Sequence, residues 1–189
     1  MENTNIIIEI IGAVIGLTYL FLEYKCSVWL WLAGIVMSLF YVVISYNAQL
    51  YATAIIYVWY VFTNIYGWLV WVKRRKTSSE DSSGIQNVNR RVIIWSILAV
   101  TILWVGVYAV LFKTTESSVV LGDSFIAALS VVATFWLAHK FLQHWWLWVM
   151  VNAVSVWVFF IQGFYPSALL FTVYTVVSVF GYFRWRLEI

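Results

Sequence analysis

The sequence predicts an all-α, polytopic membrane protein: seven transmembrane helices containing two parallel three-helix repeats. Composition is the first ground. Of 189 residues, 64% are hydrophobic and only 10% are charged, with a mean hydropathy of +0.91, whereas a soluble domain carries about 25% charged residues. The second is the spacing of apolar runs about 20 residues long, the length that crosses a hydrocarbon core of roughly 30 Å. The third is that the chain resembles itself.

The spans fall at Ile6–Leu22, Val28–Tyr46, Leu50–Val72, Val92–Phe112, Ser124–Phe141, Trp146–Gln162 and Ser167–Trp185. They are uniformly apolar and lack the alternation of barrel strands, so each satisfies its backbone polar groups as a helix. The opening MENTNIII has no Lys or Arg before the first run, unlike the basic start of a secretory leader, and that run is expected to be retained. Domains are expected at 1–72 (first repeat), 73–91 (linker), 92–112 (a linking transmembrane helix) and 113–189 (second repeat). The linker reads KRRKTSSEDSSGIQNVNRR and is expected to be solvated and mobile.

Basic residues set the expected orientation. Lys25, Lys73, Arg74, Arg75, Lys76, Arg90, Arg91, Lys140, Arg184 and Arg186 fall on one side of a seven-span layout and Lys113 on the other. The positive-inside rule makes the first side cytoplasmic, with the N-terminus outside and the C-terminus inside. KRRK then reads as a topology signal, and no nucleic acid is expected as a partner.

The repeat is read by setting Trp29-Leu30-Trp31 on Trp146-Leu147-Trp148, which puts Ser38 on Ser155. After a three-residue gap, Tyr51 meets Tyr165, Tyr60 meets Tyr174, Gly67 meets Gly181 and Trp71 meets Trp185. The first helix pairs with the fifth through Lys25 and Lys140, and the fourth is the extra crossing that lets both halves run in one sense. Parallel repeats of this kind are a transporter design, with the substrate near the midplane.

Polar groups within the spans are costly unless paired or facing a cavity, so they mark candidate sites. Asn152 lies four residues after Trp148 and seven after Trp145, on one helical face. Indole rings can stack a flat or cationic ligand and the amide can orient it. The plainer reading is that Asn152 ties its helix to a neighbour, with Trp145 and Trp146 in an interfacial belt. Tyr57, Tyr60 and Asn64 share a face of the third helix. Gly12 and Gly16 form a small-residue packing motif, and Glu9 is a rim position. His139 and His144 lack the companions of a metal site. No acidic residue lies near the middle of a span, and no phosphate-binding loop is present. No catalytic set, metal or cofactor is therefore expected; the chain reads as a carrier and not an enzyme.

QLYATAIIYVWYVFTNIYGWLVW, GDSFIAALSVVATFWLAHK, HWWLWVMVNAVSVWVFFIQGFYPSALLF and EIIGAVIGLTYLFLE together resemble the PnuC family of vitamin transporters. The resemblance covers nearly the whole chain. It implies a three-plus-one-plus-three fold in the inner membrane, usually a homotrimer, and facilitated diffusion with the substrate trapped by phosphorylation inside the cell. The family's W-x-x-W and following Asn are present as Trp145, Trp148 and Asn152. Nicotinamide riboside carriers usually have Gln where this chain has Tyr57 and Asn where it has Phe180. Losing two amides for rings suits a flat cation with fewer hydroxyls. The resemblance therefore implies thiamine, as in the PnuT branch, ahead of nicotinamide riboside, with riboflavin behind. The expected substrate site comprises Trp148, Asn152, Tyr57, Asn64, Phe180, Trp145 and Tyr60.

Overall fold

The computed structural model describes residues 14–47, 51–77, 84–114 and 119–189. The side chains of residues 44, 45, 47, 51–56 and 75–77 are outside that description. Glu9 and Gly12, and the Ser-rich centre of the linker at 78–83, also lie outside the described residues.

Among the described residues seven helices follow one another: α1 Val14–Tyr24, α2 Trp29–Asn47, α3 Tyr51–Thr77, α4 Arg90–Thr114, α5 Val120–Ala138, α6 His144–Ile161 and α7 Tyr165–Arg186. α4 to α7 are long and apolar enough to cross a membrane, and α1 and much of α2 are shorter apolar helices. The chain divides into two compact units, Met1–Gly84 and Ile85–Ile189. In the first, α2 packs on α3; in the second, α4 packs on α5, α5 on α6 and α6 on α7.

Both units contain the same three-helix skeleton, and a single displacement of 114 residues (145 less 31) relates them without a gap. Cys26 and Lys140, that far apart, are the non-glycine residues with positive φ among the described residues, at 50° and 53°. Each stands just past the end of a helix and closes it identically. Ser27 N–H donates to Leu22 C=O at 2.9 Å and Phe141 N–H to Trp136 C=O at 3.0 Å. Cys26 N–H donates to Glu23 C=O and Lys140 N–H to Leu137 C=O, both at 2.9 Å. These paired bonds are the Schellman closure, in which a left-handed residue satisfies the last carbonyls of a helix. α1 therefore pairs with α5 through Cys26 and Lys140, one residue away from the expected Lys25.

The same displacement carries Trp31, fully buried against Trp71, onto Trp145, fully buried against Trp185. Both pairs are edge-on with ring centroids 5.7 Å apart. Gly67 and Gly181 admit these rings: a Cβ on either would collide with the indole facing it, so a small residue sets the helix approach. The three-residue gap expected from sequence is thus corrected. WLW occurs in both repeats, but out of register. Trp29 is 63% exposed and corresponds to Gln143, while the buried rings fix the true alignment. Ser38 consequently matches Asn152, and Ser155 matches Tyr41.

The linker also differs from expectation at its end. Gln86 pairs with the α5–α6 turn as a short parallel bridge, its N–H donating to Lys140 C=O at 3.0 Å and its C=O accepting from Leu142 N–H at 2.9 Å. Gln143 grips the same stretch through Val88 N–H and Asn87 Oδ1. Asn89 then caps α4 by accepting from Val92 N–H at 2.9 Å. Backbone pairing, invisible to a composition argument, holds these residues in place.

α4 has no buried residue along its length. It is tied to α5 by two indoles, Trp104 donating to Ser124 Oγ at 3.1 Å and Trp136 donating to Ser96 Oγ at 2.8 Å. Gly163, in the turn that follows α6, has a φ of 78° that favours glycine, and Pro166 opens α7.

Candidate functional site

Asn152 and Trp148 stand one turn apart on α6. Asn152 is buried, and its Nδ2 donates to Ser178 Oγ on α7 at 3.4 Å. Ser178, itself fully buried, donates its hydroxyl proton to Tyr174 C=O at 2.8 Å. The Nε1 of Trp148 is buried and has no hydrogen-bond partner. A buried indole N–H normally finds an acceptor; the packed indoles of Trp31 and Trp145 share this state, so what distinguishes Trp148 is its place one turn from Asn152. α6 thus carries an oriented amide and a free donor on adjacent turns.

Trp145, one turn earlier, has a different surrounding. It is enclosed by Gly181, Trp185 and His144, with the His144 ring 4.7 Å away. His144 is fully buried, its Nδ1 2.7 Å from Phe141 C=O. Trp145 belongs to the packing of its own repeat, as Trp31 does in the other. Trp146, the expected belt residue, is 43% exposed.

In the first unit, α3 brings Tyr57, Tyr60 and Asn64 along one side. Tyr57 stacks on Tyr41 of α2, centroids 4.8 Å apart and planes 13° from parallel, and tilts against Tyr60 at 6.1 Å. Asn64 turns its Nδ2 onto Tyr60 C=O at 2.7 Å, and its Oδ1 lies so near Gly34 that a Cβ there would collide with it. Tyr60 and Tyr174 are repeat equivalents. The same backbone carbonyl therefore anchors an amide in one unit and a hydroxyl in the other.

Phe180 lies two residues past Ser178 and is 62% exposed. Residues two apart do not share a helix face, so α7 does not bring Phe180 beside Asn152. The sequence reading missed Ser178, which geometry reveals through its bond with Asn152, and Gly34, and it set Ser38 on the wrong partner. It also missed Glu23, a carboxylate 2% exposed at the end of α1 where the second repeat has Leu137. Among the described residues no cluster of His, Cys, Asp and Glu side chains suits a metal.

The first unit thus presents stacked aromatic rings, and the second, by itself, an amide and an indole N–H one turn apart on α6. Known proteins agree with a carrier fold. The family model described as "Nicotinamide mononucleotide transporter" matches residues 6–187. The nicotinamide riboside transporter PnuC of Escherichia coli K12 is 23% identical over 94% of this chain and 84% of its own length. The riboflavin/roseoflavin transporter RibM of Streptomyces davaonensis is 24% identical over 95% of this chain and 84% of its own. A crystal structure of the vitamin B3 transporter PnuC superposes with a TM-score of 0.69, at 20% identity, over 93% of this chain and 79% of that one. With seven helices, a repeated three-helix skeleton and a family match along almost its whole length, the chain belongs to the nicotinamide mononucleotide transporter family.

Proposed function

We propose that the protein takes up a vitamin by facilitated diffusion, with thiamine as its substrate. Its proposed binding residues are Trp148, Asn152, Tyr57, Tyr60, Asn64, Phe180 and Trp145, the last acting through the packing of its own repeat. The observation that carries this reading is the stacked Tyr41–Tyr57 pair. It builds a wall of two rings where an amide would serve a riboside's hydroxyls. A positively charged thiazolium against such rings gains up to about 2 kcal/mol when desolvated. A wall without an amide gives up the discrimination that hydrogen bonds to a hydroxyl provide.

Nicotinamide riboside is the second reading, favoured by the name of the Escherichia coli relative and of a Neisseria mucosa relative 22% identical over 93% of this chain. Riboflavin stands third, on the Streptomyces relative. In each case phosphorylation inside the cell would trap the solute, and the basic residues would face the cytoplasm. The protein would work as a homotrimer in the inner membrane.

Titration calorimetry of the purified protein with thiamine and with nicotinamide riboside, side by side, tests the assignment. Tight thiamine binding with no riboside signal supports it. Riboside binding alone would show that Tyr57 and Phe180 do not set specificity.

A further inference from the structure

We infer that Ser178 is a positioning residue which fixes the polarity of Asn152, so that the site reads a hydrogen-bond donor on its substrate. A hydroxyl has one proton to give, and Ser178 gives its own to Tyr174 C=O one turn back, at 2.8 Å. Its oxygen can then only accept. The amide facing it must present its NH2, because the reversed amide would set two acceptors against each other in a buried place, an arrangement that leaves both unsatisfied. Asn152 therefore holds Nδ2 toward α7, 3.4 Å from Ser178 Oγ, and offers Oδ1 as the acceptor.

Trp148 completes the pattern. Its unpartnered Nε1 is a donor one turn from that acceptor. A ligand edge that carries an acceptor beside a donor fits this pair. An aminopyrimidine and a primary carboxamide both have such an edge; a carboxylate does not. The first unit shows what the device replaces. At the position equivalent to Ser178 stands Asn64, which satisfies the matching carbonyl of Tyr60 with its own Nδ2, and Ser38 stands where Asn152 would be. The amide and hydroxyl have exchanged places, so polarity is set by a second residue in one repeat alone.

The inference about substrate edges rests on the vitamin-carrier reading, and the test separates the two. In the full-length apo protein with isotope-labelled asparagine, exchange of the Asn152 side-chain amide hydrogens is expected to be slow and to quicken several-fold in Ser178→Ala. Equal exchange in the two proteins would overturn the inference whatever the substrate. Ser178→Thr keeps both the proton for Tyr174 and the acceptor, and should retain slow exchange; a folded Thr variant with fast exchange would also overturn it. The second arm compares thiamine with its analogue bearing oxo in place of the exocyclic amine, and nicotinamide riboside with the corresponding carboxylate. Wild type should favour the amine-bearing member by about tenfold or more, as expected for a buried acceptor left unpaired, and Ser178→Ala should narrow that ratio. An unchanged ratio in a folded Ser178→Ala protein would refute the positioning role. Slow exchange with no binding of either vitamin would retain the polarity assignment and reject the substrate class.

Discussion

The first repeat buries Trp31 between Gly67 and Trp71; the second buries Trp145 between Gly181 and Trp185, in the same geometry. A few residues along the same helices the two diverge. The first repeat places Gly34, Ser38, Tyr41, Tyr57 and Asn64 where the second places Trp148, Asn152, Ser155, Phe171 and Ser178. The end of each helix pair that holds the Trp–Gly–Trp contact is common, and the stretch beyond it is individual. Sharing marks what the fold requires, and divergence marks the residues on which the proposed binding role rests. The turn joining α5 to α6 adds another asymmetry, since it alone carries the Gln86 bridge among the described residues.

The largest expected effect strikes the shared part. Gly181→Val and Gly67→Val each force a branched side chain into an indole ring, and overpacking of this kind costs about 1–3 kcal/mol or more. Both should fall sharply in the yield of monodisperse protein and in unfolding temperature, by similar amounts. A tolerated Gly67→Val beside a ruined Gly181→Val would break the equivalence.

Next come the divergent residues. Asn152→Leu is expected to weaken substrate binding by about tenfold or more, the cost of an unpaired ligand group in a closed site, with little loss of folded protein. Asn64→Leu should lower thermal stability as well as affinity, because its Nδ2 is also committed to its own helix. Calorimetry and thermal unfolding on the same preparations distinguish the two behaviours. Trp148→Ala should lose affinity chiefly for a charged ring, by up to about 2 kcal/mol, so the ratio of thiamine to an uncharged analogue is the measurement that matters.

Smaller effects probe the turns. Asn89→Ala removes the cap of α4 and should cost about 1 kcal/mol, with no counterpart in the first repeat. The smallest effect is a gain. Cys26→Gly and Lys140→Gly relieve a left-handed conformation that glycine adopts freely, and each should raise the unfolding temperature by roughly a degree or two for a gain of about 0.5 kcal/mol. Opposite signs at the two positions would show that the matched backbones are differently strained.

Most of the fold was legible because length and hydropathy dictate helices in a membrane, and no residue-level detail is needed. Boundaries were less so: α3 runs on through Lys73 and Arg74 to Thr77, since a helix entering water has no reason to stop at the last apolar residue. The repeat was legible through Gly67, Gly181, Trp71 and Trp185, but its register was obscured by abundance. With 13 Trp in the chain, WLW matches arise out of phase, and burial alone tells Trp31 from Trp29. Of the candidate site, Asn152 and Trp148 stood out as a rare amide near an indole. Ser178 did not, because a serine in an apolar helix usually bonds its own backbone, and only geometry shows that this one also receives an amide from α6.

The ungapped correspondence has a mechanical consequence. Each added residue turns a helix by about 100° and lengthens it by about 1.5 Å, so one residue inserted within a helix, between its buried contact and the rest, would swing an indole off its glycine. Both copies must therefore obey the same ruler from Leu22 to Trp71 and from Trp136 to Trp185. The chain between Trp71 and Trp136 stands outside that ruler.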